Sequence, residues 1–150
     1  MFYTSTLKRL RNEKNLTQSE ISKMLEISRG LYSQYEIADK IIPLTHLNKL
    51  CNYFQVSIDY IFELSKEKKY INIRDEIDRE QTCRRLKEFR KENKLTQEKL
   101  AKLLNTSHSV ISSYEKNNTL ISTGYLYTIC KKYNISADYL LGKIDNPKKL

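Results

Sequence analysis

Two groups of short polar side chains have the residue types needed to recognise a polar ligand. The groups are Ser28, Arg29, Gly30, Ser33 and Gln34, and Ser107, His108, Ser109, Ser112 and Ser113. Within each group residues recur at i and i+4, which places them on one side of a helix. An arginine there can bind guanine through O6 and N7, and a glutamine can pair with adenine. The histidine is a weaker reader, with an ordinary surface histidine as the alternative.

Each group lies on the second of two predicted short helices, most clearly in residues 95–115. Thr96 is placed to cap the first helix, since its hydroxyl can accept a hydrogen bond from a backbone N–H of the first turn. Three leucines then share one helical face. Residues 105–106 break the run and Ser107 is predicted to cap the second helix. This arrangement indicates a helix-turn-helix unit, whose second helix enters the major groove of DNA.

The unit occurs twice, because residues 3–64 align with residues 82–143 without a gap. Identities between the copies include Leu7/Leu86, Arg11/Arg90, Ser28/Ser107, Tyr35/Tyr114, Glu36/Glu115, Cys51/Cys130 and Asp59/Asp138. Such a repeat predicts two tandem domains. The expected division is domain 1 at residues 1–64, a linker at residues 65–81, domain 2 at residues 82–143 and a basic tail at residues 144–150.

The motifs of each copy resemble the phage-repressor-like (Cro-like, or XRE) helix-turn-helix family. The resemblance lies in Leu-Thr-Gln at residues 16–18 and 95–97, an apolar helix, the turn, and Tyr-Glu at residues 35–36 and 114–115. It implies an all-α protein of two five-helix domains that bind double-stranded DNA. It also implies that Gln18 and Gln97 donate to phosphate at the positive end of a helix dipole. A local cap hydrogen bond is the alternative for both glutamines.

One departure from the family concerns the loop after the recognition helix, where the family usually has glycine. Ala38 and Asn117 stand there in this chain. Asparagine tolerates a left-handed backbone better than alanine does. The loop of the first copy is therefore expected to differ in shape from that of the second.

The helices that complete each domain can also be placed. The first helix is predicted over residues 4–14, with Lys8, Arg9 and Arg11 facing outward. The remaining expected helices cover residues 44–54, 57–64, 123–133 and 136–141. Residue 142, a glycine, is expected to end the last of these. The helix at residues 57–64 has no such stop and is expected to run into a partly helical linker, while the tail is expected to be mobile.

The net charge of +9 is distributed unevenly. Residues 1–64 carry eight Lys/Arg and seven Asp/Glu, residues 65–81 carry five of each, and residues 82–150 carry fourteen and six. A basic surface on this fold favours a polyanion, since phosphate neutralisation supplies most non-specific affinity. A solubilising charge is the alternative, but it does not explain the asymmetry.

Several other classes of protein are disfavoured. There is no catalytic constellation, glycine-rich phosphate loop or metal-ligand spacing, so no enzyme, cofactor or metal site is expected. Cys51 and Cys130 are expected to be core residues. The tyrosines can in principle stack single-stranded bases, but Tyr32, Tyr35 and Tyr114 fall at predicted core positions. No apolar run reaches the roughly 18–20 residues of a membrane span, which predicts a cytoplasmic protein without membrane contact.

The function expected from these features is a sequence-specific, double-stranded DNA-binding transcriptional regulator with two recognition helices in one chain. The family resemblance implies that it is a repressor. The alternative is that repeat 2 binds DNA while repeat 1 is a module for dimerisation or for binding a regulatory protein. An antitoxin- or immunity-type regulator would fit that alternative.

Overall fold

The computed structural model describes residues 2–150, with side chains from residue 3 onward. The described residues form ten helices, and their only extended pairing is a single bridge between Ile135 and Lys149. The chain divides into two compact units, unit 1 ending at Tyr70 and unit 2 running from Ile71 to Leu150. The all-α prediction is therefore confirmed.

Each unit contains five helices. Unit 1 has α1 (Phe2–Glu13), α2 (Gln18–Leu25), α3 (Arg29–Glu36), α4 (Leu44–Phe54) and α5 (Ile58–Ile61). Unit 2 has α6 (Arg79–Glu92), α7 (Gln97–Leu103), α8 (His108–Glu115), α9 (Thr123–Tyr133) and α10 (Ala137–Leu140). The predicted bounds of α4 and α9 are correct to the residue, whereas α5 and α10 are shorter than predicted.

Most helices begin at the expected capping residue. Thr17 accepts from the backbone N–H of Glu20, whose carboxylate in turn accepts from Thr17, so α2 opens on a complete capping box. Ser28 caps α3 by accepting from the N–H of Leu31. Ser107 precedes α8 but makes no side-chain cap hydrogen bond; its hydroxyl lies 3.0 Å from the hydroxyl of Ser109 instead. Ser107 thus takes the predicted N-cap position, while the side-chain hydrogen bond expected there is absent.

The loops after α3 and α8 have the same local backbone conformation. Ala38 and Asn117 both adopt left-handed conformations, with φ of 61° and 59°. The N–H of the next residue then donates to the carbonyl of Gln34 in unit 1 and of Ser113 in unit 2. The expected difference in loop shape is therefore absent, and Ala38 adopts the conformation at a cost of about 1 kcal/mol.

The end of unit 1 differs from the prediction. α5 stops at Ile61 because Glu63 turns left-handed, at a φ of 58°, and the N–H of Leu64 donates to the carbonyl of Asp59. The chain then folds back, so that the hydroxyl of Tyr70 donates to Asp59 at 2.9 Å. The helix therefore does not continue, because the left-handed residue reverses the chain without glycine.

The predicted linker is divided between the two units. Residues 74–78, named the strap below, lie against unit 2: the N–H of Arg74 donates to the carbonyl of Lys143, and that of Asp78 to Leu141. Only residues 79–81 of the linker are helical, as the first turn of α6. The predicted linker of residues 65–81 is therefore not a separate segment between the units, because most of it belongs to one unit or the other.

The tail of unit 2 is held by hydrogen bonds and is not a free end. The N–H of Ser136 donates to the carbonyl of Lys148, and the N–H of Leu150 donates to the carbonyl of Asn134. The side chain of Asn134 donates back to Leu150 at 2.8 Å. The prediction of a mobile tail is wrong, because these hydrogen bonds hold it to unit 2. The sequence did not reveal them, because the partners are more than ten residues away.

Candidate nucleic-acid interface

A buried carboxylate ties α3 to the two helices before it. Arg11 on α1 donates to both oxygens of Glu36, through Nε at 2.6 Å and Nη2 at 3.2 Å. Gln18 on α2 donates to Oε2 at 2.8 Å, and the hydroxyl of Tyr32 donates to Oε1 at 2.9 Å. These four residues are called the Glu36 cluster. Because Glu36 is the last residue of α3, the cluster holds the C-terminal end of this helix against α1 and α2.

Unit 2 contains the same arrangement. Arg90 donates to Glu115 at 2.7 and 2.9 Å, and Gln97 donates to it at 3.1 Å. These three residues are called the Glu115 cluster. Ile111 stands where unit 1 has Tyr32, so this cluster has no counterpart of the tyrosine hydroxyl donor. A cavity of about 10 Å³ lies among residues that include Ile111 and Glu115.

The clusters keep both carboxylates ionised. Burial alone would raise the pKa of Glu36, but hydrogen bonds from Arg11 and its neighbours outweigh burial and hold that pKa below its usual value. The pKa of Glu115 is likewise lowered, by Arg90 and Gln97 against the effect of burial. The last residues of α3 and α8 are therefore carboxylates whose negative charge is paired within the fold.

This arrangement was not foreseen from the sequence, which placed Arg11 on the outer face of α1. Arg11 is only 9% exposed, and its Nη1 also donates to the carbonyl of Leu16. The signal that could have revealed the clusters was present, since arginine, glutamine and glutamate recur at matching positions in both copies. A buried arginine requires a partner, and the glutamate at residues 36 and 115 is one of the acidic residues that recur in both copies.

The amides of Gln18 and Gln97 are used within the fold, but not as helix caps. Each donates one N–H to the cluster carboxylate and is only partly exposed. A primary amide has two N–H donors, so one donor remains at each. The predicted contact with phosphate remains a prediction for both residues.

The outward group of unit 1 is accessible along α3. Ser28, Arg29 and Gly30 are exposed, whereas Ser33 and Gln34 are partly exposed. Gln34 makes a long contact of 3.4 Å with Asp39. A Cβ built on Gly30 meets nothing within 4 Å, so packing does not require glycine there.

The outward group of unit 2 follows the same pattern on α8. Ser107, His108 and Ser109 are exposed, and Ser112 and Ser113 are partly exposed. The hydroxyl of Ser113 lies 2.9 Å from that of Thr119. The structure therefore brings each predicted group together on one helix, with the less exposed pair toward the C-terminal end.

The loops that follow α3 and α8 differ in the chemistry of their side chains, although their local backbone conformations match. In unit 1, Ile37 is 70% exposed and Ile41 is 48% exposed. The corresponding residues of unit 2 are Lys116 and Leu120, of which Lys116 is exposed and Leu120 is partly exposed. Unit 1 thus presents an apolar loop where unit 2 presents a cation.

The charge difference between the units is smaller than the sequence division suggested. Unit 1 as folded, to residue 70, contains eleven Lys/Arg and eight Asp/Glu, whereas residues 71–150 contain sixteen and ten. The net charges are therefore +3 and +6. Both units have an excess of positive charge, which suits a polyanionic partner.

A helix-turn-helix with an exposed polar group on its second helix, present twice in one chain, defines a class of DNA-binding domains. The chain belongs to the phage-repressor-like (XRE-like) helix-turn-helix family. The helix-turn-helix family model matches residues 7–61 and again residues 86–140. The resemblance found from the sequence motifs is confirmed by both matches.

Similar proteins include transcriptional regulators of Bacillus subtilis (strain 168). The HTH-type transcriptional regulator ImmR is 39% identical over 66 residues, covering 44% of this chain and 52% of ImmR. The uncharacterized HTH-type transcriptional regulator YobD is 35% identical over 65 residues, covering 43% of this chain and 58% of YobD. The chain thus spans between half and three-fifths of the relatives it matches. No solved structure matches the chain significantly.

Two further observations concern the described part of the chain. Its helices include none with the length and apolar character needed to cross a membrane. No three His, Cys, Asp or Glu side chains within residues 2–150 are grouped so that they could hold a metal ion.

Proposed function

We propose that this protein is a sequence-specific, double-stranded DNA-binding transcriptional regulator that uses α3 and α8 as recognition helices. The carrying observation is that the same buried cluster fixes both helices and leaves a polar group on the exposed side of each. A fixed helix with exposed donors and acceptors is what base readout in the major groove requires.

The two recognition helices would read different sequences. In unit 1, Arg29 is suited to guanine and Gln34 to adenine. In unit 2, His108 and the neighbouring serines have shorter side chains, which allow the helix to lie closer to the base edges. The preferred DNA is therefore two unlike half-sites rather than a perfect inverted repeat.

Repression is the regulatory outcome we propose, because a protein bound across a promoter excludes other proteins from it. Gln18 and Gln97 would hold the flanking phosphates through their remaining amide donors. A second copy of the chain or a regulatory protein is a further proposed partner, since the apolar loop of unit 1 offers a surface for it.

Substitutions in the full chain test the DNA-binding proposal. DNA sites selected from a random library by the full chain would be titrated with R29A/Q34A and H108A/S112A double variants over a series of salt concentrations. Each double variant should weaken binding by about 1–3 kcal/mol per lost base contact. Lys66→Ala, which removes a cation outside both outward groups, is the control for loss of charge alone.

The results separate two functions. Losses of similar size from both double variants support DNA reading by both units, and no loss from either contradicts the proposal. The logarithm of the binding constant falls by about 0.9 per phosphate contact for each tenfold increase in salt concentration. The measured slope therefore gives the number of phosphates that the chain contacts. No change with R29A/Q34A and a loss with H108A/S112A would assign DNA binding to unit 2 alone.

The second candidate function is a division of labour in which unit 1 binds a protein. It is favoured by the exposure of Ile37 and Ile41, because apolar residues exposed together are characteristic of interaction sites. An I37S/I41S variant should then lose self-association in sedimentation velocity, or binding of a regulatory protein, with unchanged DNA affinity. If the chain is monomeric and the variant loses DNA affinity instead, the division of labour is wrong.

A further inference from the structure

The chain leaves unit 1 at a well-anchored point. Tyr70 is 7% exposed, and its hydroxyl donates to the buried carboxylate of Asp59 at 2.9 Å. Two residues earlier, the carbonyl of Lys68 accepts from the N–H of Ser57 at 2.6 Å. Unit 1 therefore holds the chain to residue 70, beyond the end of the aligned repeat.

The chain is held again by unit 2 only four residues later. The N–H of Arg74 donates to Lys143 at 2.8 Å, and the N–H of Asp78 donates to Leu141 at 2.9 Å. A Cβ built on Gly142 would lie 2.7 Å from the Cβ of Asp78, so the strap passes directly over this glycine. Gly142 has a φ of 73°, which also favours glycine.

Only residues 71–73, named the tether below, remain between the two anchors. Ile71 is 91% exposed, and Asn72 has a left-handed backbone with a φ of 61°. Four residue steps from Tyr70 to Arg74 span at most about 14 Å. A free linker over residues 65–81 would instead span about 56 Å when extended.

The short tether limits how far apart the units can bind. A compact unit of 70–80 residues has a radius of about 15 Å. The centres of the two units can therefore be separated by about 45 Å at most. A unit bound to DNA sits over the groove that its helix enters, so the separation of the centres approximates that of the two groove sites. Successive major-groove sites on one face of DNA lie about 34–36 Å apart for one helical turn, and twice that for two turns. One turn is within reach and two turns are not.

We propose that the tether determines the half-site spacing of the DNA that this chain recognises, so that only half-sites about one helical turn apart bind both units. This inference rests on the proposed function, since it requires both recognition helices to bind DNA. It assigns a specificity role to residues that contact no base.

The test uses the full chain and DNA of defined spacing. A site selected from random DNA supplies the two half-sites, which are then placed one turn apart, placed two turns apart, or used singly. A variant with twenty Gly/Ser residues inserted between Ile71 and Asn72 lengthens the tether. The matched control has the same twenty residues appended after Leu150. Dissociation constants are measured by fluorescence anisotropy.

The wild type and the control should bind the one-turn DNA about a hundredfold more tightly than a single half-site, through the effective concentration of the second unit. On two-turn DNA both should bind no more tightly than on a single half-site. The insertion variant should gain about tenfold on two-turn DNA, because its chain reaches the second half-site.

Three results would overturn the inference while leaving DNA binding intact. They are equal wild-type affinity for both spacings, no effect of the insertion, and no gain from a second half-site at one turn. If the full chain selects no DNA site at all, the proposed function itself fails and the inference fails with it.

Discussion

Gln18 and Glu36 join the first residue of α2 to the last residue of α3 through a hydrogen bond of 2.8 Å. Gln97 and Glu115 do the same for α7 and α8 at 3.1 Å. The angle between the two helices of each motif therefore depends on a polar contact as well as on apolar packing. This contact lies beside the residues proposed to bind DNA, so the readout geometry and the stability of each unit are coupled.

Removal of the Glu36 charge should destabilise unit 1 strongly. In Glu36→Gln the buried guanidinium of Arg11 loses its ionic partner, which costs about 3–5 kcal/mol. Urea unfolding followed by circular dichroism measures the loss. Glu13→Gln is the matched control, because its partner Arg9 is on the surface, and it should change stability by less than about 1 kcal/mol. Equal effects of the two variants would contradict the structural role of the cluster.

The glycines of the chain should respond to alanine in opposite directions. Gly30→Ala should raise the free energy of unfolding by about 0.5–1 kcal/mol, because the position is helical and the space for a Cβ is open. Gly142→Ala should lower it by about 1–3 kcal/mol, because the residue is left-handed and close to Asp78. Thermal unfolding of both variants measures these changes, and a shift of both midpoints in the same direction would contradict the prediction.

Gly30→Ala also separates stability from function. If α3 approaches base edges closely, this more stable variant should bind the selected DNA more weakly than the wild type does. Unchanged DNA affinity would show that the glycine is not needed for close approach.

Unit 1 should lose stability in mild acid because of His46. Its Nδ1 is buried without a hydrogen-bond partner, and burial, with Lys49 nearby, lowers the pKa of this imidazole below its usual value. The unfolded state therefore binds the proton more readily, so the stability contribution is present above the unfolded pKa of about 6.5 and falls as the pH drops through it. His46→Phe should flatten the dependence between about pH 5 and 7 in denaturant titrations.

A pH dependence of the His46→Phe variant that is as steep between about pH 5 and 7 as that of the wild type would show that the assignment to His46 is wrong.

The strap should be needed for a stable unit 2. A fragment of residues 71–150 retains Arg74 and the Asp78 cap of α6, whereas a fragment of residues 82–150 loses both. The shorter fragment should be less stable by at least about 1 kcal/mol from the cap alone. Denaturant unfolding of the two fragments measures the difference, and equal stabilities would show that the strap adds nothing.

The local features of the sequence predicted most of the helices. Apolar periodicity gave α4 and α9 to the residue, and the capping motifs at Thr17, Thr96 and Ser28 are present as expected. Ser107 takes the predicted N-cap position of α8, but its hydroxyl pairs with the hydroxyl of Ser109 instead of a backbone N–H.

The features that could not be predicted depend on contacts distant in sequence. Arg11 finds its partner 25 residues away, and Arg85 donates to the carbonyl of Ile144 across 59 residues. The tail is therefore ordered by groups that local composition does not reveal. The candidate DNA-binding residues were grouped correctly on two helices, because that grouping needs only the helical period, while their role stays a prediction.

Gly142 and Glu63 occupy matching positions of the two copies, yet only the glycine accommodates a strap. The two copies are consequently not exchangeable within the chain. A symmetric dimer on DNA is unchanged by rotation about its axis and cannot distinguish upstream from downstream. A single chain with two unlike units in a fixed order has a polarity. Under the proposed function, in which both units bind DNA, the direction of the binding site determines the orientation of the chain.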